Sequence, residues 1–401
     1  MTALERRSVV SLSLLYIFRM LGLFMVLPLL ALYAVDYADA TPALIGLALG
    51  IYGLTQALLQ IPLGWLSDRV GRKRVILAGL LLFAAGSVIA ALADSVAGII
   101  LGRALQGAGA IAGTVLALLA DLTREEQRTK AMALVGISIG MSFAIALVLG
   151  PAVAAVGGLS GVFWFAGGLA LVGIVILLAW VPAPPPEDPR RHADVGARRG
   201  LILQSLLDPG LARFNLGVFV LHFVLMASFL VLPGLLQEIA AIDRQQHWQV
   251  YLPVMLLSLA GMIPLMGLAE RRQRPRLAFL LGVACIALAL LVVALRPAVG
   301  PLYAALWLFF VGFNYLEATL PSQVSKQASV QGKGTALGVY STCQFLGAFC
   351  GGAAGGWMVQ YWGPGALLGA CVLMCALWAT VHWRSRGLEP ALEQPVPGAQ
   401  A

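Results

Sequence analysis

GWLSDRVGRKR, residues 64–74, is the stretch on which the reading of this chain turns. One carboxylate and four cations fall between Asp68 and Arg74, in a chain that is 60% apolar and only 11% charged. A soluble protein is roughly a quarter charged, and a mean hydropathy of +0.90 excludes a set of water-soluble domains. The charged stretch therefore reads as a connection outside a membrane, with membrane crossings on both sides of it.

Working outward, roughly 20 apolar residues cross the hydrocarbon as a helix. Apolar segments of that order cover 8–35, 44–66, 74–93, 97–120, 130–156, 160–181, 211–236, 247–269, 276–295, 299–321, 334–360 and 363–383. The expected fold is an all-α membrane protein with twelve transmembrane helices in two pseudo-symmetric six-helix bundles. Residues 1–181 form the first bundle and 211–383 the second; 384–401 read as a disordered tail. Between the bundles, 182–210 opens with a Pro-rich charged run, PAPPPEDPRRH, and reads as an extended, mobile linker. The loop GLAERRQRPR (267–276) repeats the carboxylate-then-cations order of Asp68 to Arg74. Two equivalent halves point to a transporter with its site between them.

Lysine and arginine set the orientation, because cytoplasmic loops hold an excess of them. Counting along the twelve segments, 22 of the 26 lie on the side that carries both termini; only Arg244 and Arg296 lie opposite, and Arg19 and Arg103 lie within helices. Both termini are thus expected in the cytoplasm, and the cations of GWLSDRVGRKR hold that loop inside. The net charge of +8 reports topology against a lipid bilayer, so nucleic acid is not an expected partner. Arg6 and Arg7 before an apolar run, with Ala38-Asp39-Ala40 beyond it, have the outline of a secretory signal. The run is twice too long and contains Arg19, so it reads as an uncleaved first helix.

Enzyme signatures fail on context. GISIG (136–140) fits a nucleophile pattern but lies inside an apolar helix. GKGT (332–335) lacks the first glycine of a phosphate loop, so no ATP site is expected. Cys285, Cys343, Cys350, Cys371 and Cys375 form no CxxC pair and have no histidine at ligand spacing. Neither a metal nor a cofactor is expected. A channel is disfavoured by the two-fold repeat.

Ionisable side chains at bilayer depth are costly and usually functional. Four candidates stand out: Arg19, Arg103, His222 and Glu317. Glu317, in FNYLEATLP, is the one carboxylate deep in the second half, and His222 lies at a comparable depth. A carboxylate and an imidazole can both take up and release a proton, so the pair is the candidate proton carrier. Arginine does not release its proton, so Arg103 can act on a neighbouring acid's field or anchor a kink. Tyr33, Tyr52, Gln56, Gln60, Asn314 and Gln344, with Arg19, are candidate cavity residues; each alone also fits an interhelical hydrogen bond.

These motifs resemble those of the major facilitator superfamily. GWLSDRVGRKR is similar to the family's loop between helices 2 and 3, with Gly64, Leu66, Asp68, Arg69, Gly71, Arg72 and Lys73 in register. LGRALQGAGA (101–110) resembles the helix 4 motif of its drug/proton antiporters, at Arg103, Gln106 and Gly107. LGPAVAAVGG (149–158) resembles the helix 5 antiporter motif at Gly150 and Pro151, but Ala154-Ala155 replaces a glycine pair. IYGLTQALLQIPLGWLSDRVGRK, DLTREEQRTKAMA and KGTALGVYSTCQFLG are similar to the YajR-type group. The resemblance implies a monomeric, proton-coupled antiporter that exports its cargo across a bacterial inner membrane; aromatic and apolar residues around the rest of the cavity suit small lipophilic or amphipathic molecules. Proton-coupled uptake of a small metabolite is the alternative. It implies that Arg103 assists proton transfer. It also implies a conformational latch, in which Asp68 meets the start of helix 11 near Gly332 to Ala336 and Arg72 pairs with Asp121. Both contacts are expected only while the cytoplasmic side is closed. Members of that group can carry a soluble domain after helix 12, which is not expected here.

Overall fold

A computed structural model describes residues 1–182, 199–295, 298–328 and 332–384, which are helical almost throughout. In the first half, α1 covers Ala3–Asp36, α2 Pro42–Val70, α3 Arg72–Ala91 and α4 Val96–Asp121. The next helical stretch, Glu125–Ala179, is 55 residues long. In the second half, α7 covers Pro209–Ala240, α8 Arg244–Glu270, α9 Pro275–Ala294 and α10 Val299–Gln327. The last stretch, Lys333–Arg384, has 52 residues.

A straight helix of 50 residues measures about 75 Å, more than twice the hydrocarbon thickness. Each long stretch therefore fits a membrane only by folding back. Each has one glycine with left-handed backbone, Gly158 (φ 60°) and Gly363 (φ 80°). A side chain at such a position costs about 1–2 kcal/mol. The breaks divide the stretches into α5 (125–157) and α6 (159–179), and α11 (333–362) and α12 (364–384). Among the described residues this makes twelve crossings, six in each half, and each half ends on a helix pair joined at a single glycine.

Side-chain caps start the helices where the sequence offers them: Thr41 accepts from the Leu44 amide at α2, Ser95 from Gly98 at α4 and Asp208 from Leu211 at α7. α4 is interrupted between Ala108 and Ala112, and α1 between Phe24 and Leu27. Residues 183–198, the Pro-rich part of the expected linker, and the tail 385–401 lie outside the described residues. Within the remaining linker the expectation of extended chain is corrected. Arg199–Leu207 is helical, because GLILQSLL has no proline and the Pro-rich run lies before it.

Inside the first half α1 packs on the α5–α6 pair, and α3 and α2 pack on α4. Inside the second, α7 packs on the α11–α12 pair and α9 on α10. The principal contact between the halves is α2 against α11. Bulky apolar side chains such as Val175, Leu178, Leu257, Ile263 and Leu373 stay exposed on the outside of the bundle, the face a bilayer covers.

Candidate functional site

The seam between the halves is built from glycine. On α2, Gly46, Gly50 and Gly53 share one face by helical spacing. A Cβ on Gly50 would lie 2.6 Å from the Phe349 carbonyl oxygen, and one on Gly53 2.5 Å from that of Phe345. A Cβ on Gly46 would collide with the Gly352 carbonyl and the Gly356 backbone. Backbones can approach this closely only where side chains are missing. The contact continues to Gln60, whose amide donates to Thr342 Oγ1 (2.7 Å). Beyond that point the helices part. Gly64 lies three turns past Gly53 on the same face, and Gly338 two turns before Phe345; a Cβ on either would meet nothing within 4 Å. Among the described residues, the seam is thus closed from the end opposite the basic loops to Gln60, and it is open at Gly64 and Gly338 toward the basic end.

At the closed end, Arg244, the first residue of α8, crosses to the first half. It pairs with Asp36 (2.7 Å), donates to the Leu32 carbonyl (3.4 Å) and lies 4.2 Å above the Tyr33 ring. The Ala43 amide donates to Gln360 Oε1 (3.2 Å). Tyr33 is therefore corrected from a cavity residue to a part of this closure.

Three polar side chains from the second half meet beside the seam. His222 on α7 has Nδ1 3.1 Å from the Val218 carbonyl, which makes Nδ1 the donor and leaves Nε2 to accept. Gln344 on α11 donates its amide to His222 Nε2 (2.8 Å) and, more weakly, to Glu317 Oε1 on α10 (3.4 Å). His222 Nε2 stands 3.8 Å from Glu317 Oε2. That oxygen is buried and accepts no hydrogen bond among the described residues. One amide thus bridges both titratable groups: a proton on His222 Nε2 would remove one of its two acceptors, and a proton on Glu317 would take the charge from the other. Phe313 edges onto His222 (6.1 Å) and continues through Phe143 of α5 (5.8 Å) to Phe24 of α1 (5.2 Å), an aromatic chain across the halves.

The first half holds its charges separately. Arg19 on α1 is 1% exposed. It donates to Gln56 Oε1 (2.7 Å) and to the Gly109 carbonyl (3.1 Å), in the interruption of α4. Arg103 is fully buried, donates to Gln106 Oε1 (3.0 Å) and lies 4.9 Å from the centre of the Tyr52 ring. Gln106 in turn donates to Ser87 (2.8 Å). Arg103 does not join Glu317 and His222; its described partners all lie in the first half. Asn314 also stands apart, donating to Ser258 of α8 (2.9 Å).

At the basic end, Arg72 is 6% exposed and gathers three partners. It pairs with Asp68, donates to Ser67 Oγ (2.8 Å) and pairs with Asp121 Oδ2 (3.0 Å). All three belong to the first half. The Arg72–Asp121 contact ties α3 to α4 and is present while α2 and α11 are parted at Gly64 and Gly338. The start of α11 near Gly332, the other expected partner of Asp68, adjoins residues 329–331, outside the described residues. Gly71 turns the chain between α2 and α3 with φ 97°. Two cations do more than set topology. Lys73 donates to the Val181 carbonyl (2.7 Å), and Arg7 to those of Trp180 (2.9 Å) and Ala179. Together they cap α6, whose last carbonyls have no helical partner. Arg69 lies on the Trp65 ring (4.0 Å). Gly150, ahead of Pro151, lets α5 approach the interruption of α1; a Cβ there would lie 2.9 Å from the Met25 carbonyl oxygen.

Sequence reasoning missed Arg244–Asp36 and Glu5–Arg124, the latter a 2.9 Å pair that ties the start of α1 to the α4–α5 connection. Only the scarcity of basic residues on Arg244's side could have drawn attention to it.

The comparisons with known proteins agree with this architecture. The inner membrane transport protein YajR of Escherichia coli (strain K12) is 47% identical over 383 residues, 95% of this chain and 84% of that protein. The multidrug resistance protein MdtH of Yersinia enterocolitica is 27% identical over 349 residues, 84% of this chain and 83% of that protein. Among solved structures, a bacterial homologue of the human lysosomal transporter Spinster, in an inward-facing and unoccupied conformation, superposes with a TM-score of 0.79. Its sequence identity is 15%, and the match covers 96% of this chain and 97% of that one. The profile of the Major Facilitator Superfamily matches residues 12–349. With its twelve crossings in two halves and its glycine seam, the chain is a multi-pass membrane transporter that belongs to the Major Facilitator Superfamily.

Proposed function

We propose that this transporter is a proton-coupled antiporter that exports small lipophilic or amphipathic molecules across a bacterial inner membrane by alternating access, as a monomer with both termini in the cytoplasm. The observation that carries the reading is the Gln344 bridge between His222 and Glu317. It joins α7, α10 and α11, and α11 is the second-half side of the seam. Proton uptake there changes what holds α11, and α11 is the helix that must shift when the seam opens at the other end. Such a site biases a two-state equilibrium, because the proton binds the two states unequally. The open seam beyond Gln60 supports assigning this structure to the inward-facing state. The drug-resistance name of the MdtH relative supports export.

The test is proton movement in proteoliposomes. With Glu317→Gln, an imposed proton gradient should no longer drive cargo movement, while cargo counterflow, which needs no net proton transfer, should persist. Unchanged gradient-driven transport would remove Glu317 from the coupling.

A further inference from the structure

The first half places a surplus of buried hydrogen-bond donors around one turn of α2. Arg19 Nε and Nη1, the Gln56 amide nitrogen, the Tyr52 hydroxyl and Arg103 Nη2 are all buried, and none has an acceptor among the described residues. They belong together: Arg19 is bonded to Gln56, Tyr52 lies one turn before Gln56, and Arg103 lies on the Tyr52 ring. Two of the groups are guanidinium cations, and neither forms an ion pair among the described residues, unlike Arg72, Arg124 and Arg244. The described carboxylates of this half (Glu5, Asp36, Asp39, Asp68, Asp94, Asp121 and Glu126) lie at helix ends or in connections. Water can accept from such donors but brings no charge, so it leaves the two guanidinium cations without a counter-ion. A group with several acceptor atoms and negative charge supplies both.

The cluster also adjoins the seam. Tyr52, Gln56 and Gln60 follow one another at four-residue spacing along α2. Tyr52 lies against Phe345 of α11 (6.4 Å), and Gln60 bonds Thr342 of the same helix. Arg19 is thus one side chain removed from the seam that opens beyond Gln60. Five residues further along α1, Phe24 begins the aromatic chain to Phe143 and Phe313.

We propose that Arg19, with Gln56, Tyr52 and Arg103 around it, is a binding site for an oxyanion headgroup, and that the cargo is an amphiphilic anion whose apolar body lies along the aromatic chain. This rests on the transporter reading above and narrows its cargo from lipophilic or amphipathic molecules in general to carboxylates and their like. It also separates the two halves by charge: the cargo anion is held in the first, the proton in the second.

The experiment is thermal unfolding of the purified full chain in detergent, titrated with 2-naphthoate, 2-naphthamide and 2-naphthylmethylammonium, and separately with phosphatidylglycerol. A ligand that binds the folded state raises its unfolding midpoint by mass action. The expected result is a concentration-dependent rise with naphthoate, none with the amide or the ammonium, loss of the rise in Arg19→Gln and a smaller rise in Arg19→Lys. Three results would overturn the proposal: no preference for the anion in the unmodified protein, an equal rise in Arg19→Gln, or stabilisation by phosphatidylglycerol alone, which would make the site a lipid contact. Should Arg19→Gln not fold, the ranking of the three probes on the unmodified and Arg19→Lys proteins decides. The antiport reading fails separately: Glu317→Gln should keep the naphthoate preference even where it abolishes proton coupling.

Discussion

At the basic end Arg72 gathers Asp68, Ser67 and Asp121, all from its own half; at the opposite end Arg244 leaves the second half for Asp36, Leu32 and Tyr33 of the first. The difference lies in what each arginine joins and how deeply it is buried. Arg72 is 6% exposed and ties helices of a single half to one another. Arg244 is 37% exposed and its partner Asp36 57%, so their pair is wet and weak. Under the proposed alternating access, opening of the closed end has to break the second contact and leaves the first in place. Exposure suits a contact that must break, because water replaces the partner at little cost, whereas burial suits one that must hold.

The largest expected effect breaks the comparison at the glycine seam itself. Gly46→Leu puts a side chain into the Gly352 carbonyl, an overpacking worth about 3 kcal/mol. That penalty favours states with the closed end apart by about a hundredfold. Single cysteines placed near Asp36 should then react with an impermeant thiol reagent much faster than in the unmodified protein. Equal labelling would mean that α2 and α11 do not close that end. Next comes Arg72→Gln, which takes the guanidinium from between Asp68 and Asp121 and should lower stability by about 1–3 kcal/mol. Thermal unfolding in detergent reads this, and the same cysteines should label as before. If labelling changes instead of stability, Arg72 belongs to the moving joint and the contrast drawn here is wrong. The smallest effect is that of Arg244→Gln, under about 1 kcal/mol, or about a fivefold population shift at most. It should fade at high salt as screening removes the ion pair from the unmodified protein too. An effect that salt does not reduce would assign the contact to the Tyr33 ring rather than to Asp36.

Much of the architecture was legible in the sequence, because membrane crossings are written in composition. The segment boundaries at 156/160 and 360/363 bracket the breaks at Gly158 and Gly363, where apolar sequence runs through and only small residues and a proline mark a turn. Glu317, His222 and Gln344 stood out because polar side chains at bilayer depth are rare, and the fold brings those three together. Their contacts could not be read, since His222 lies 122 residues before Gln344 and spacing alone does not say that the neighbours α10 and α11 turn these faces to each other. The same holds for Arg244 and Asp36, 208 residues apart. Lys73 looked like one cation among four; its contact with Val181 depends on where α6 ends, which is a property of packing. Tyr33 shows the opposite failure. A tyrosine near a helix end suits a cavity wall and an arginine's stacking partner equally well, and only the position of α8 separates them.

Gly158 and Gly363 also bear on how the chain enters its membrane. Each joins two crossings with no intervening loop, so nothing between α5 and α6, or between α11 and α12, can be held back or oriented by its own charges. The two members of each pair are therefore committed together, as a hairpin delivered from one side. The last third of each half has its direction decided by a single event, at the basic flank that precedes it. A lysine pair placed at 157–158 would oppose that delivery at its leading edge, long before any transport state existed to be disturbed.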